Sequence, residues 1–260
     1  METSIQLVRN ATVVFNYAGK KILIDPMLAE KGAYPGFEGT ANSQLRNPLV
    51  ELPFQPEKLM DYDALIVTHL HPDHWDEAAI KTLSKDKPLF SQNQQDAQII
   101  KSAGYTDVRV MSDDNDFEGV KFKKTYCQHG PDEAYANEQM AAILGEASGL
   151  FFNQPGEKSV YFVGDTIWIN EIENNLQTLQ PDIVVVNTGF AQVNGFGAII
   201  FGKEDVLKIN TILPNAKIVA IHMEAVNHCV LSRAELKQFA IENNIIENVI
   251  IPQDGETIKF

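Results

Sequence analysis

Residues 68–75 read Thr-His-Leu-His-Pro-Asp-His-Trp, directly after the apolar run Ala64-Leu65-Ile66-Val67. His69, His71, Asp73 and His74 therefore fall within six positions, and three of the six histidines in the chain sit there. Imidazole nitrogens and carboxylate oxygens are the ligands of borderline metals such as zinc. A buried strand that delivers four such groups into one loop has little to gain from packing them. A polar turn after a strand is the plain alternative, but it does not explain the residue types. The loop reads as a metal site, and adjacent Asp73 and His74 cannot serve one ion with good angles. Two ions a few ångströms apart suit the donors better, provided that further ligands arrive from elsewhere.

Candidates stand at the ends of other apolar runs. His129 follows Thr125-Tyr-Cys-Gln128, Asp165 follows Tyr161-Phe-Val-Gly164, and His222 follows Lys217-Ile-Val-Ala-Ile221. Each occupies the point where a strand gives way to a polar turn, as the first cluster does. Any one alone would be an ordinary hydrogen-bonded residue; beside the cluster they complete a ligand set.

Around these points the chain alternates strands and helices. The first 25 residues form a meander, Ile5–Val8, Ala11–Phe15 and Lys21–Ile24, with a hairpin turn at Ala18-Gly19-Lys20. Residues 27–60 are rich in Pro and Gly and lack periodicity, so a functional loop is expected there, with Tyr34, Phe37, Arg46 and Phe54 as a cover over a pocket. Strands are expected at Asp63–Val67, Val108–Met111, Val120–Cys127, Gly149–Asn153, Ser159–Val163, Ile183–Val186, Lys217–Ile221, Asn248–Ile251 and Thr257–Phe260. Helices are expected at Asp76–Leu83, Gln92–Ala103, Asn170–Leu179 and Lys203–Leu213, and after a Ser232/Glu235 capping box to about Asn243. With no linker-like segment, residues 1–260 read as one α/β domain with sheets packed between helical layers.

Composition narrows the partners. Thirty-five acidic against 21 basic residues give a net charge of −14, which opposes a polyanion and counts against a nucleic-acid substrate. The N-terminus lacks the basic and apolar regions of a secretory signal, and no apolar run reaches membrane-spanning length. Cys127 and Cys229 are too few for a disulfide framework. A cytoplasmic protein acting on a small molecule is the expectation.

The loop at 69–74 with His129, Asp165 and His222 resembles the metallo-β-lactamase superfamily over essentially the whole chain. The signature is a His-x-His-x-Asp-His loop, a further histidine, a Gly-Asp-Thr-type aspartate and a final histidine. The resemblance implies a four-layer αβ/βα sandwich with the site at one edge of the sheets. It implies that His69, His71 and His129 hold one ion, that Asp73, His74 and His222 hold a second, and that Asp165 bridges both. Asp25 resembles the family's aspartate that accepts a hydrogen bond from a ligand histidine; a turn cap before Pro26 is the alternative. Within the superfamily, the meander, the Pro/Gly-rich segment and Ile221-His-Met-Glu-Ala-Val-Asn-His228 look most like the branch that includes the L-ascorbate-6-phosphate lactonases, which are often homo-oligomers. Two departures exist. The third histidine lies in Cys127-Gln-His-Gly-Pro131 rather than the glyoxalase II-like context, and His71 stands where flavodiiron members carry Glu. Both favour zinc over iron, with manganese compatible with the same donors.

The expected reaction is hydrolysis of an ester, lactone, amide or phosphoester by a hydroxide bridging two divalent ions, zinc by expectation, in which Asp73 ligates and orients the nucleophile. His228 is a candidate proton donor to the leaving group. Arg46 is a candidate clamp for an anionic group, and Asn187 a candidate pocket donor. A nuclease, an iron-dependent oxidoreductase and a non-catalytic metal-binding sensor are the competing classes.

Overall fold

A computed structural model describes residues 2–260. Six strands form most of the first sheet: β1 (Ser4–Arg9), β2 (Thr12–Tyr17), β3 (Lys20–Ile24), β4 (Ala64–Val67), β5 (Leu89–Ser91) and β6 (Val108–Val110). The second sheet contains β7 (Asn115–Phe117), β8 (Val120–Tyr126), β9 (Ser148–Phe152), β10 (Val160–Phe162) and β11 (Ile183–Asn187). A small ribbon follows, β12 (Gln192–Val193) with β13 (Gly197–Ala198), before β14 (Lys217–Ile221) and β15 (Val249–Ile250) rejoin the second sheet. The chain closes with β16 (Thr257–Lys259) beside β1, so each large sheet has seven strands.

Alternation explains the layering. In β2, Val13 and Phe15 face the second sheet, where they join Phe122, Phe152, Phe162 and Val185 in one core. Leu23, Leu65 and Leu89 point the other way, onto helices α1 (Glu77–Thr82) and α2 (Gln94–Ser102). The parallel strands β10, β11 and β14 are apolar on both faces, as strands covered on both sides must be. Their outer face carries α5 (Asn170–Leu179), α6 (Lys203–Ile212) and α7 (Arg233–Glu242). Between β8 and β9 lie two short helices, α3 (Asp132–Tyr135) and α4 (Glu138–Leu144). The result is helix, sheet, sheet, helix, the αβ/βα sandwich expected.

The expected helix at 170–179 and strand at 217–221 are found with those bounds, and Ser232 and Glu235 form their capping box. The strands β5 and β7 and the helices α3 and α4 were not anticipated. Three-residue strands show no period, and α4 is only seven residues, although they are strong helix formers behind an Asn137 cap.

The loop at 27–60 is fastened rather than free. Arg9, at the end of β1, is fully buried, and its guanidinium donates to the carbonyls of Met27, Ala29 and Val50. Burial pushes its pKa down to about 10. Asp76, capping α1, accepts from the backbone N–H of Leu28, Ala29 and Ala79. A second anchor is Asn227, which accepts from Phe37 N–H and Asn47 Nδ2 and donates to Thr40 Oγ1 and the Ala41 carbonyl. The loop's aromatic Phe37 is thereby laid edge-on against His228, with ring centroids 4.9 Å apart. Among the described residues, no helix is long and apolar enough to cross a membrane.

Candidate metal centre

Strand ends deliver every expected donor to one point. β4 stops at Val67, and the following loop projects His69, His71, Asp73 and His74; β8, β10 and β14 end just before His129, Asp165 and His222. Asp25 and His222 both hold left-handed backbone, φ 48° and 61°, which turns their side chains out of strand direction. Such conformations are uncommon for residues with a Cβ and concentrate at functional sites. Gly164 (φ 80°) precedes Asp165 where a Cβ would lie 2.6 Å from the Ser148 carbonyl, so only glycine lets β10 turn there.

Three groups of side chains converge closely enough to hold a metal: His69, His71 and His129; His69, His74 and Asp165; and Asp73, His74 and His222. His69 Nε2 lies 3.1 Å from His71 Nδ1, and His74 Nε2 lies 3.1 Å from His222 Nε2. Asp165 Oδ2 is 3.2 Å from His74 Nε2, 3.4 Å from His129 Nε2 and 3.8 Å from the Nε2 atoms of His69 and His222. Asp73 Oδ2 is 3.2 Å from His222 Nε2. One carboxylate oxygen thus reaches both halves of the cluster.

The distal ring atoms decide what this convergence means. His74 Nδ1 faces Asp25 Oδ2 at 2.8 Å, His71 Nε2 faces the Ile143 carbonyl at 2.7 Å, and His129 Nδ1 faces the Ile199 carbonyl at 3.0 Å. His69 Nδ1 meets the Thr68 hydroxyl, which itself donates to Asp25, so that hydroxyl is left to accept. His222 Nδ1 is 3.4 Å from Cys229 Sγ. When the distal nitrogen of an imidazole carries its proton to an acceptor, the inner nitrogen presents a lone pair. Lone pairs facing one another at 3.1 Å beside two carboxylates require positive charge among them. The donor set fits divalent cations.

Electrostatics point the same way. Burial opposes charge on His74, but Asp165, Asp25 and Asp73 outweigh it and raise its pKa to about 10. His222 is likewise raised against burial, by Cys229, Asp165 and Asp73. Burial lowers His69 well below the usual histidine range and His129 to about 4. Asp73 and Asp165 resist burial and stay well below the ordinary carboxylate range because imidazoles surround them. The half of the cluster around His74 and His222 thus favours positive charge.

The supporting candidates divide. Asp25 is in place: it accepts from His74, from Thr68 N–H and from the Thr68 hydroxyl. Replacing it with Ala is expected to weaken metal binding about 10- to 100-fold, the range for partners that orient ligand histidines; competition against a chromophoric chelator measures this. His228 is buried, lines the cavity above the donors, and its Nδ1 has no protein partner. Asn187 does not line that cavity; its Nδ2 donates to Asp165 Oδ1 at 2.6 Å, so it holds the carboxylate. Arg46 is not brought to the cluster, because its exposed guanidinium donates to the Gly32 and Ala33 carbonyls. A lone arginine in a loop gives no sequence signal of which carbonyls it will meet. Sequence reasoning missed Asn227 and the wall made by Met140, Ile143 and Leu144.

A two-sheet sandwich with a His/Asp cluster at the strand ends is the architecture of a class of metal-dependent hydrolases. The family profile described as "Beta-lactamase superfamily domain" matches residues 4–233. The chain belongs to the metallo-β-lactamase superfamily, as a metal-dependent hydrolase of that fold. It is 46% identical to the UPF0173 protein YddR of Bacillus subtilis, over 99% of this chain and 100% of that one. It is 49% identical to an isothiocyanate hydrolase from Delia radicum gut bacteria, with a TM-score of 0.97 and 99% of both chains covered. A possible metal-dependent hydrolase from Veillonella parvula is 42% identical, with a TM-score of 0.98 and full coverage of both chains. None of these three is described as an L-ascorbate-6-phosphate lactonase, so that branch remains a resemblance.

Proposed function

We propose that this chain is a dinuclear hydrolase of small, neutral, largely apolar electrophiles, and that isothiocyanates are the class it takes. One observation carries the reading: the converging donors open into a cavity of about 230 Å³ whose lining holds apolar side chains and the acidic Glu38 and Asp73, but no Lys or Arg. Beyond the ligands themselves the walls offer an anionic substituent no Lys or Arg, so any counter-charge there would come from the bound ions alone. Likeness to the isothiocyanate hydrolase, at 49% identity, supplies the substrate class.

His69, His71 and His129 would hold one ion in this reading, Asp73, His74 and His222 the other, with Asp165 available to both; zinc suits the mixed nitrogen and oxygen donors, and manganese is compatible. Bound in such a set, divalent ions acidify water and polarise the electrophile. Asp73 orients the water against the central carbon of R–N=C=S. His228, the histidine with an uncommitted Nδ1, is kept neutral by burial, which lowers its pKa to about 4, so it would pass to the substrate nitrogen the proton it takes from the attacking water as the new C–O bond forms. The resulting thiocarbamate breaks its C–N bond, its remaining acidic proton passing to nitrogen, so that R–NCS and water become R–NH2 and carbonyl sulfide. Two buried, unbridged thiols, Cys127 and Cys229, fit a reducing cytoplasm.

The test is a metal-loaded preparation offered 2-phenylethyl isothiocyanate beside lactone, ester and phosphodiester panels. Release of amine and carbonyl sulfide in equal amounts, lost on chelation and reduced at least about 100-fold in His228→Ala, is the expected result. Turnover confined to lactones or phosphodiesters would reject isothiocyanates as the substrate.

A further inference from the structure

We propose that α4 selects the substrate's apolar substituent, with Met140 and Ile143 as the residues that set its size; this rests on the reading of the cavity as the substrate site. The helix is pinned to the donor cluster at several points. The Ile143 carbonyl accepts from His71 Nε2 at 2.7 Å, in the turn that also presents the Ile143 side chain. The Tyr135 hydroxyl donates to the Gly145 carbonyl just past the helix and accepts from His129 N–H at 3.2 Å. Leu144 is buried beneath, so close to Gly130 that a Cβ there would approach it to 2.9 Å. The wall therefore stands at a fixed height above two of the proposed ligands.

Its working face is left open. Met140 and Ile143 line the cavity together with Phe37 and Val193, and Ile143 is 65% exposed, the most exposed large aliphatic side chain of the described residues. An aliphatic side chain held out over a reactive centre by its own backbone gains apolar contact only when something apolar lies against it. Methionine beside it adapts to irregular shapes. The occupant is an alkyl or aryl group, because the walls carry no cation and the volume exceeds the roughly 150 Å³ that accommodates benzene. A reacting head of three atoms and one ring, or a short chain, fit together.

The test reads binding rather than turnover, using n-alkyl hydroxamic acids from acetyl to octanoyl, which present a metal-chelating head and a tail of graded length. Calorimetry on the metal-loaded protein is expected to show affinity rising about fourfold per methylene until the slot is full. Ile143→Ala and Met140→Ala are expected to lower octanoyl affinity about tenfold while changing acetyl affinity less than twofold, with metal content unaltered. Variant lines that stay parallel to wild type at every length, or no gain with tail length, would overturn the role of α4. Length-dependent binding without isothiocyanate hydrolysis would reject the substrate class and retain the wall. Isothiocyanate hydrolysis with variants indifferent to tail length would do the reverse.

Discussion

Asp165→Ala is expected to lose turnover beyond the roughly 100-fold ceiling for residues that only support a ligand, and to lower bound metal in parallel. The Oδ2 atom of this residue lies within 3.8 Å of four histidine nitrogens. Among the described residues, no other carboxylate oxygen reaches as many of them. Its removal strips counter-charge from both halves of the cluster and leaves Asn187 Nδ2 without its acceptor. Asp165→Asn preserves shape and removes only the charge, so it separates packing from ligation. Both variants are expected to keep the wild-type circular dichroism spectrum, because the residue belongs to none of the apolar cores. Wild-type metal content and activity in both would contradict the proposed bridging role.

The second large effect concerns folding. Arg9→Met is expected to destabilise the protein by about 3–5 kcal/mol, because three carbonyls lose a charged donor at roughly 1–3 kcal/mol each. At roughly 2–4 °C per kcal/mol for chains of this order, the melting temperature falls by about 10 °C. Methionine fills much of the space but leaves the carbonyls of Met27, Ala29 and Val50 buried without a donor. Arg9→Lys keeps the charge without the planar fork and is expected to fall between the two. Differential scanning calorimetry checks the order; a shift under 2 °C for Arg9→Met would show that water satisfies the loop as well as Arg9 does. Because the loop from residue 27 carries Phe37 to the cavity, activity is expected to decline below the melting transition.

The contrast between Arg9 and the donor cluster shows what a sequence makes legible. His69, His71, Asp73 and His74 are neighbours in the chain, follow a clear strand, and have few reasons to exist apart from ligation. His129, Asp165 and His222 were found by the same rule, a polar residue where an apolar run stops. The alternation of strands and helices carried as far as one α/β domain with sheets between helical layers; the four-layer sandwich came from the resemblance that the ligand motif carries. Arg9 gives no such signal, since its partners are carbonyls 18 to 41 residues away. Arg46 looked like an anion clamp for the converse reason: its type was visible and its carbonyl partners were not. Asn187, a candidate hydrogen-bond donor to the pocket, donates instead to Asp165 Oδ1 and holds that carboxylate. Asn227 fastens the loop through side-chain contacts 180 or more residues distant, beyond any local pattern. The α3–α4 segment went unread because seven residues are too few for a periodic signature, although its Asn137 cap and helix-forming composition were there.

Metal analysis of protein purified without chelator, paired with anomalous diffraction from its crystals, tests the central claim most directly. Two divalent ions per chain are expected, one among His69, His71 and His129, the other among Asp73, His74 and His222, with Asp165 in contact with both. Protein that stays free of divalent metal after loading, or that binds it away from these seven side chains, would contradict the account.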